Sequence, residues 1–119
     1  MRKYKLTSET ISVVCNDAEI TLHRIQALRD FGYIKAGDLG GFIEKESNLS
    51  QDGNCWVYNT AKVYGDAKIF GNALVYDNAE VFGNAWVYGE AEVFGNAWVY
   101  GSAVVYRMDK VCGDTELST

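Results

Sequence analysis

The sequence predicts an all-β protein, a β-solenoid of triangular coils with a small β-rich cap at its N-terminus. Three observations carry this. Valine or isoleucine recurs every six residues from Val57 to Val111, and the series ends at Leu117. A small residue, Cys55 and then alanine from Ala61 to Ala103, stands two places before each aliphatic. Glycine followed by Asn, Asp, Glu or Ser punctuates most cycles.

A period of six is even, so the two faces of a strand stay in phase from one cycle to the next. Within Ala-x-Val-aromatic the Ala and Val share one side, and x and the ring share the other. A helix would scatter these residues around its axis, and a glycine in every cycle would weaken it. The glycines instead provide the unusual φ of a corner. Each cycle therefore reads as a short strand plus a bend. Two cycles per coil leave almost no interior. Three give an eighteen-residue coil whose centre is filled by Val and Ala, with neighbouring coils stacked at the ~4.8 Å strand spacing. Charges fit that register, because Lys62 falls one coil below Glu80 and Glu92 one coil below Lys110. The near-repeat of "VFGNAWVYGEAE" after twelve residues is a trace of duplication.

Three regions follow. Residues 57–119 are the repeat solenoid. Residues 37–56 form a degenerate first coil: Leu39 lies eighteen before Val57, Gly41 keeps phase with the corner glycines, and Lys45 and Gln51 fall at core positions. Residues 1–36 lack the repeat and form a cap, which a solenoid needs because its end coil exposes apolar core and unpaired backbone. Here Thr10–Cys15 alternates like a strand, Asn16-Asp17 signals a turn, and Glu19–Ala27 returns as a second strand. A short helix over Arg24–Phe31 is the competing reading. At the other end Arg107 replaces a corner glycine and Asp109 a core alanine, charges that oppose end-to-end stacking. Leu117 closes the last coil or packs across an oligomer.

Composition narrows the partners. A net charge of −5 with scattered basic residues argues against nucleic acid. No apolar run reaches the roughly 20 residues that cross a bilayer, and "MRKYKLTSET" has no apolar run after it, so neither a membrane nor a signal peptide is expected. Three cysteines without metal spacing fit a reducing cytoplasm. Cys55 reads as a small core residue.

Grouping by eighteen gives three outer faces lined by aromatic columns. One presents Phe70, Trp86, Tyr88, Val104 and Tyr106, a contiguous apolar patch expected to be an oligomer or partner interface. Trp56, Tyr58, Leu74 and Tyr76 make a second apolar surface. Stacking of rings between coils is the plain account of the columns. No catalytic residue stands out. His23, the single histidine, lies in the cap beside Leu22 and Ile25 with no visible orienting partner, and is the nominal candidate. One histidine per chain does not supply a zinc site, so no metal is expected. Cys112 occupies an aromatic slot with only Lys110 as a basic neighbour. The glycines precede strands and not helices, so no phosphate loop is assigned. Glu80, Glu90, Glu92 and Asp77 read as solvated charges.

The hexapeptide pattern resembles the left-handed parallel β-helix, although here an aromatic intervenes between the aliphatic residue and Gly. Handedness is implied by that resemblance alone, since crossover rules favour the opposite hand. The whole chain, including "TLHRIQALRDFGYIKAGDLGGFIEKESNLSQDGNCWVY", is similar to small hexapeptide-repeat proteins of bacteria, phages and prophages, many labelled acyltransferases by fold. The resemblance implies a homo-oligomer, a trimer about a parallel threefold axis. The expected function is a non-catalytic interaction protein of the bacterial cytoplasm that binds a host protein or a small ligand, with inhibition of a host defence system (an anti-CRISPR role or similar) as one form. It needs no cofactor. Two alternatives stand beside it: an acyl-CoA-dependent acyltransferase using His23 at a subunit boundary, and a self-assembling structural element.

Overall fold

The structure, a computed structural model, describes residues 2–118. Two long strands open the chain, β1 (Tyr4–Cys15) and β2 (Ala18–Ala27), joined by a two-residue turn in which Asn16 and Asp17 have φ of 52° and 66°. Both residues tolerate the left-handed conformation that such hairpin turns demand. Arg24 lies within β2, so the competing helix does not form there. Next come β3 (Leu39–Ile43) and a single 3-10 turn over Glu46–Asn48.

From there the chain winds through two-residue strands six apart: β4 (Trp56–Val57), β5 (Lys62–Val63), β6 (Lys68–Ile69), β7 (Leu74–Val75), β8 (Glu80–Val81), β9 (Trp86–Val87), β10 (Glu92–Val93), β11 (Trp98–Val99), β12 (Val104–Val105), β13 (Lys110–Val111) and β14 (Glu116–Leu117). Every third strand pairs in parallel. One side of the prism is β4-β7-β10-β13, the second β6-β9-β12, and the third β3-β5-β8-β11-β14, which the hairpin extends through β2 and β1. Val87 stands opposite Ile69 and Val105, eighteen residues away in each direction. The eighteen-residue coil is therefore the observed unit. The aliphatics from Val57 to Val99 and the alanines from Ala61 to Ala97 are buried, as is Cys55.

The corners carry the periodicity. Gly65, Gly71, Gly83, Gly89, Gly95 and Gly101 have φ between 65° and 70°. Asn59, Asp77 and Arg107 hold the same conformation without being glycine. At Asp77 the carboxylate accepts the N–H of Gly95 one coil on, at 3.1 Å. A Cβ on Gly83 would stand 2.9 Å from the backbone nitrogen of Gly101, whereas one on Gly113 would meet nothing within 4 Å. Side chains at corners thus point toward the next coil, and Arg107 is tolerated in the last turn of its column.

The first coil departs from simple counting. Ile43 pairs with Val63 and Leu49 bridges to Ile69, each twenty residues apart, whereas Trp56 pairs with Leu74 at eighteen. Two extra residues lie between Leu49 and Val57. Ile43 and Leu49 fill the core, in place of the expected Leu39, Lys45 and Gln51. Leu39 is exposed, Lys45 reaches out to Asp66 at 2.9 Å, and Gln51 accepts the N–H groups of Lys3 and Tyr4. Gly41 is a buried strand residue and not a corner; a Cβ there would lie 2.6 Å from the carbonyl oxygen of Ala61. Counting back in sixes from Val57 cannot see an insertion in a corner loop, where extra residues cost little.

The N-terminal end is closed by a buried cation. Lys3 is fully buried, and its ammonium donates to the carbonyls of Cys55 (2.8 Å), Asp52 and Gly53 (both 3.3 Å) while touching Cys55 Sγ at 3.3 Å. These are carbonyls that no coil below can satisfy. Burial lowers the Lys3 pKa and raises that of the Cys55 thiol, and neither side chain reaches solvent. No helix among the described residues is long and apolar enough to cross a membrane.

Replacing Gly83 with Ala places a Cβ against the next coil in a left-handed conformation and is expected to cost about 2 kcal/mol or more, against about 1 kcal/mol for Gly113→Ala, which meets only the conformational penalty. Urea unfolding of the two variants checks this; equal losses would contradict the corner geometry.

Candidate functional site

Outward side chains are placed by the coil register, and their chemistry follows a local rule. Several rings meet the outward residue sixteen positions later, one coil on. Where the pair is Phe and Trp the rings meet edge to face, as Phe70–Trp86 at 5.9 Å and Phe82–Trp98 at 6.0 Å. Where it is Tyr and Glu the hydroxyl donates to the carboxylate: Tyr64 to Glu80 at 2.9 Å, Tyr76 to Glu92 at 2.7 Å, Tyr100 to Glu116 at 3.3 Å. Most rings eighteen apart stack, with centroids 4.7 Å apart for Phe70–Tyr88 and 5.7 Å for Tyr88–Tyr106, whereas Tyr58 meets Tyr76 edge to face at 6.3 Å.

The Tyr–Glu bonds tune both partners. Burial and the Glu92 carboxylate push the Tyr76 hydroxyl up to about 12. Glu92 is held below an ordinary glutamate, first by the Tyr76 hydroxyl and then by Lys110, whose ammonium lies 3.3 Å away. Of the two charge pairs expected from the register, this one forms. Lys62 and Glu80 are paired in the ladder, but Lys62 donates to the Thr60 carbonyl and Glu80 accepts from Tyr64, so no ion pair joins them.

Phe70, Trp86, Tyr88, Val104 and Tyr106 do share one face, on and beside β6, β9 and β12. Trp86 and Val104 are each 45% exposed and Tyr106 39%, so large apolar groups stand in solvent on a rigid sheet. A depression of about 420 Å³ lined by Glu46, Leu49, Lys68 and Phe70 adjoins it. The second surface is smaller than expected. Trp56 is completely buried beneath the cap, edge-on to Phe31 at 5.2 Å and Tyr4 at 6.2 Å, and its indole N–H has no partner. Sequence periodicity marks Trp56 as outward but cannot show that residues from the cap cover it. Tyr58, Leu74 and Tyr76 remain half-buried and line an open cavity of about 270 Å³ with Asn59 and Glu92.

His23 sits half-buried in β2, where its Nδ1 lies 3.2 Å from the Thr7 carbonyl at the β1 register shift. That contact makes it a brace for the hairpin, and it lines none of the cavities described here. Cys15, Cys55 and Cys112 are free thiols, and Cys112 is exposed. Among the described residues no group of three His, Cys, Asp or Glu could hold a metal ion. Reading by residue type missed Tyr33, which stands 95% exposed beside the second surface; nothing in its local sequence marks it.

Comparison with known proteins agrees with the architecture. Residues 91–107 match the model of the YdcK β-solenoid repeat. The chain is a β-solenoid by its architecture, and it is similar to that repeat over the matched segment. Over 72 residues the chain is 38% identical to a protein of Escherichia coli (strain K12) described as "Uncharacterized acetyltransferase YdcK". That match covers 56% of this chain and 22% of the relative.

Tyr76→Phe removes the main group that favours ionised Glu92. The carboxyl of Glu92, followed by NMR, is expected to titrate at higher pH in the variant. Because a lowered carboxyl pKa stabilises the fold above the ordinary glutamate range and that benefit fades as pH falls through the folded value, the variant should lose up to about 1 kcal/mol at neutral pH and match the parent in acid. An unchanged Glu92 titration would show that the bond contributes nothing.

Proposed function

We propose that the chain is a non-catalytic binding module, a rigid solenoid that assembles with copies of itself and offers its remaining surface to a host protein or a small ligand. The observation that carries this is the uncovered row of Trp86, Val104 and Tyr106 on a flat three-stranded face. Folding gains nothing from leaving large apolar groups in water, whereas a second copy removes them from it. Stacked rings and paired strands fix the row in place, so little side-chain entropy is lost when it is covered. A trimer about a parallel axis is the expected assembly, and three free thiols fit the reducing cytoplasm of a bacterium as its setting.

A second reading, acyl transfer from acyl-CoA, is favoured by the printed name of the Escherichia coli relative, of which this chain matches 22%. It would need His23 to leave Thr7 and meet substrate at a subunit boundary. Inhibition of a host defence system is a special form of the first reading, and a pull-down from the native host addresses it.

Static light scattering at micromolar concentration is expected to show an oligomer for the parent chain and a monomer for Trp86→Glu, with the melting temperature nearly unchanged. A parent that is already monomeric overturns the assembly. Saturable acyl-CoA binding by calorimetry, lost together with turnover in His23→Ala, would replace the binding-module reading with the enzymatic one.

A further inference from the structure

A cleft between the cap and the β4-β7-β10-β13 face combines features that neither folding nor the assembly face explains. It consists of two adjoining cavities that share Tyr58 and Leu74. One, about 270 Å³, is closed by Tyr76 and Glu92; the other, about 220 Å³, by Tyr33 and Glu90. Tyr33 is not there by looseness of the chain. It rides a tight turn in which Phe31 and Ile34 exchange backbone hydrogen bonds of 3.0 and 2.7 Å and bury their side chains, with Phe31 against Trp56. A pinned turn therefore holds an aromatic ring almost wholly in solvent at the rim of the cleft.

The polar groups in the cleft point to charge of one sign. Glu90 makes no side-chain hydrogen bond or ion pair among the described residues, and no lysine or arginine lines either cavity. The Tyr58 hydroxyl likewise makes no hydrogen bond among the described residues, and the side chain sixteen positions on, which lines the cavity with it, is Leu74 and not a glutamate. Glu90 stands in the corner before β10 and Glu92 on β10 itself, with Ala91 between them buried, and each glutamate lines one of the two cavities. From one end to the other the cleft presents carboxylate with tyrosine, then an apolar floor at Leu74, then carboxylate with tyrosine.

We propose that this cleft binds an aliphatic di- or polyamine. One ammonium sits at Glu90 beneath Tyr33, the methylene chain lies on Leu74, and a second ammonium sits at Glu92 beside Tyr76, displacing Lys110 from its 3.3 Å contact. Ammonium ions over tyrosine rings gain from cation–π attraction as well as from the carboxylates. A basic peptide fits less well: β7 is paired on both sides, by β4 and β10, so no strand edge is free to take a second backbone. The site is independent of the assembly face and goes beyond the binding-module reading by naming the ligand class.

The test is calorimetry of the full chain at low ionic strength with spermidine, butylamine, magnesium ion and trilysine as separate titrants. Spermidine is expected to bind saturably at one site per chain. Glu90→Gln and Tyr33→Ala, both at exposed positions, should weaken it about tenfold and a few-fold with unchanged melting temperature, and Lys110→Ala should tighten it. No saturable binding, equal binding of butylamine or magnesium, or indifference to Glu90→Gln overturns the proposal. Trilysine binding more tightly than spermidine overturns it too, in favour of a protein ligand.

Discussion

Every second amide along the solenoid donates to the carbonyl seventeen residues ahead, and the rest of the molecule depends on that bond. Trp86 reaches Ala103, Tyr88 reaches Val105 and Glu90 reaches Arg107, at 2.7 to 3.0 Å. The pattern requires three corners per coil in which the chain turns with positive φ and the backbone passes within van der Waals range of its neighbour. Glycine meets both conditions where another coil lies above. Asn59, Asp77 and Arg107 hold the same turn without glycine; the Asp77 carboxylate adds a bond to the Gly95 N–H, and Arg107 has no further coil stacked on it among the described residues. With the corners set, valine and alanine have no direction to point but inward.

The exterior inherits this regularity. Most outward rings meet a ring eighteen residues on, and several also meet the side chain sixteen on, so a change of one residue alters one predictable contact. Phe beside Trp gives an apolar row; Tyr beside Glu gives a bonded polar row. The three faces thereby diverge from one backbone. The β6-β9-β12 face keeps uncovered Trp, Val and Tyr and suits self-association. The β4-β7-β10-β13 face mixes Tyr, Leu and Glu beneath the cap and suits a small cationic ligand. A scaffold so rigid spends little entropy on binding, but it also supplies no mobile loop among these faces to close over a reaction.

Much of this was legible in the sequence because a period of six coincides with strand alternation. The buried positions from Cys55 to Val105, the eighteen-residue coil and the membership of the Trp86 face all follow from counting. Counting fails where the chain leaves the repeat. The two extra residues between Leu49 and Val57 move the core from Lys45 and Gln51 to Ile43 and Leu49, and no residue type there announces the insertion. Long-range cover is equally hidden: Trp56 is buried only because Phe31 and Tyr4 arrive from the cap, and Lys3 plugs the end only because Cys55 and its neighbours leave carbonyls bare. Tyr33 gains meaning from the turn that holds it. The Tyr–Glu rows were readable in principle, since a spacing of sixteen follows from the coil once the outward phase is known.

The chain matches 22% of a protein that carries the name of an uncharacterized acetyltransferase, and the described residues here offer one histidine, engaged in bracing a hairpin. What the faces bind is a matter of surface chemistry; what places them is the register. Methyl and amide NOE spectroscopy on isotope-labelled protein reads that register directly. Val87 methyls are expected to contact those of Ile69 and Val105, with the Trp86 amide close to the Ala103 carbonyl strand and the Tyr88 ring outside. Contacts from Val87 to Val93 or Val99 across antiparallel strands, with no signal to residues eighteen away, would contradict the account.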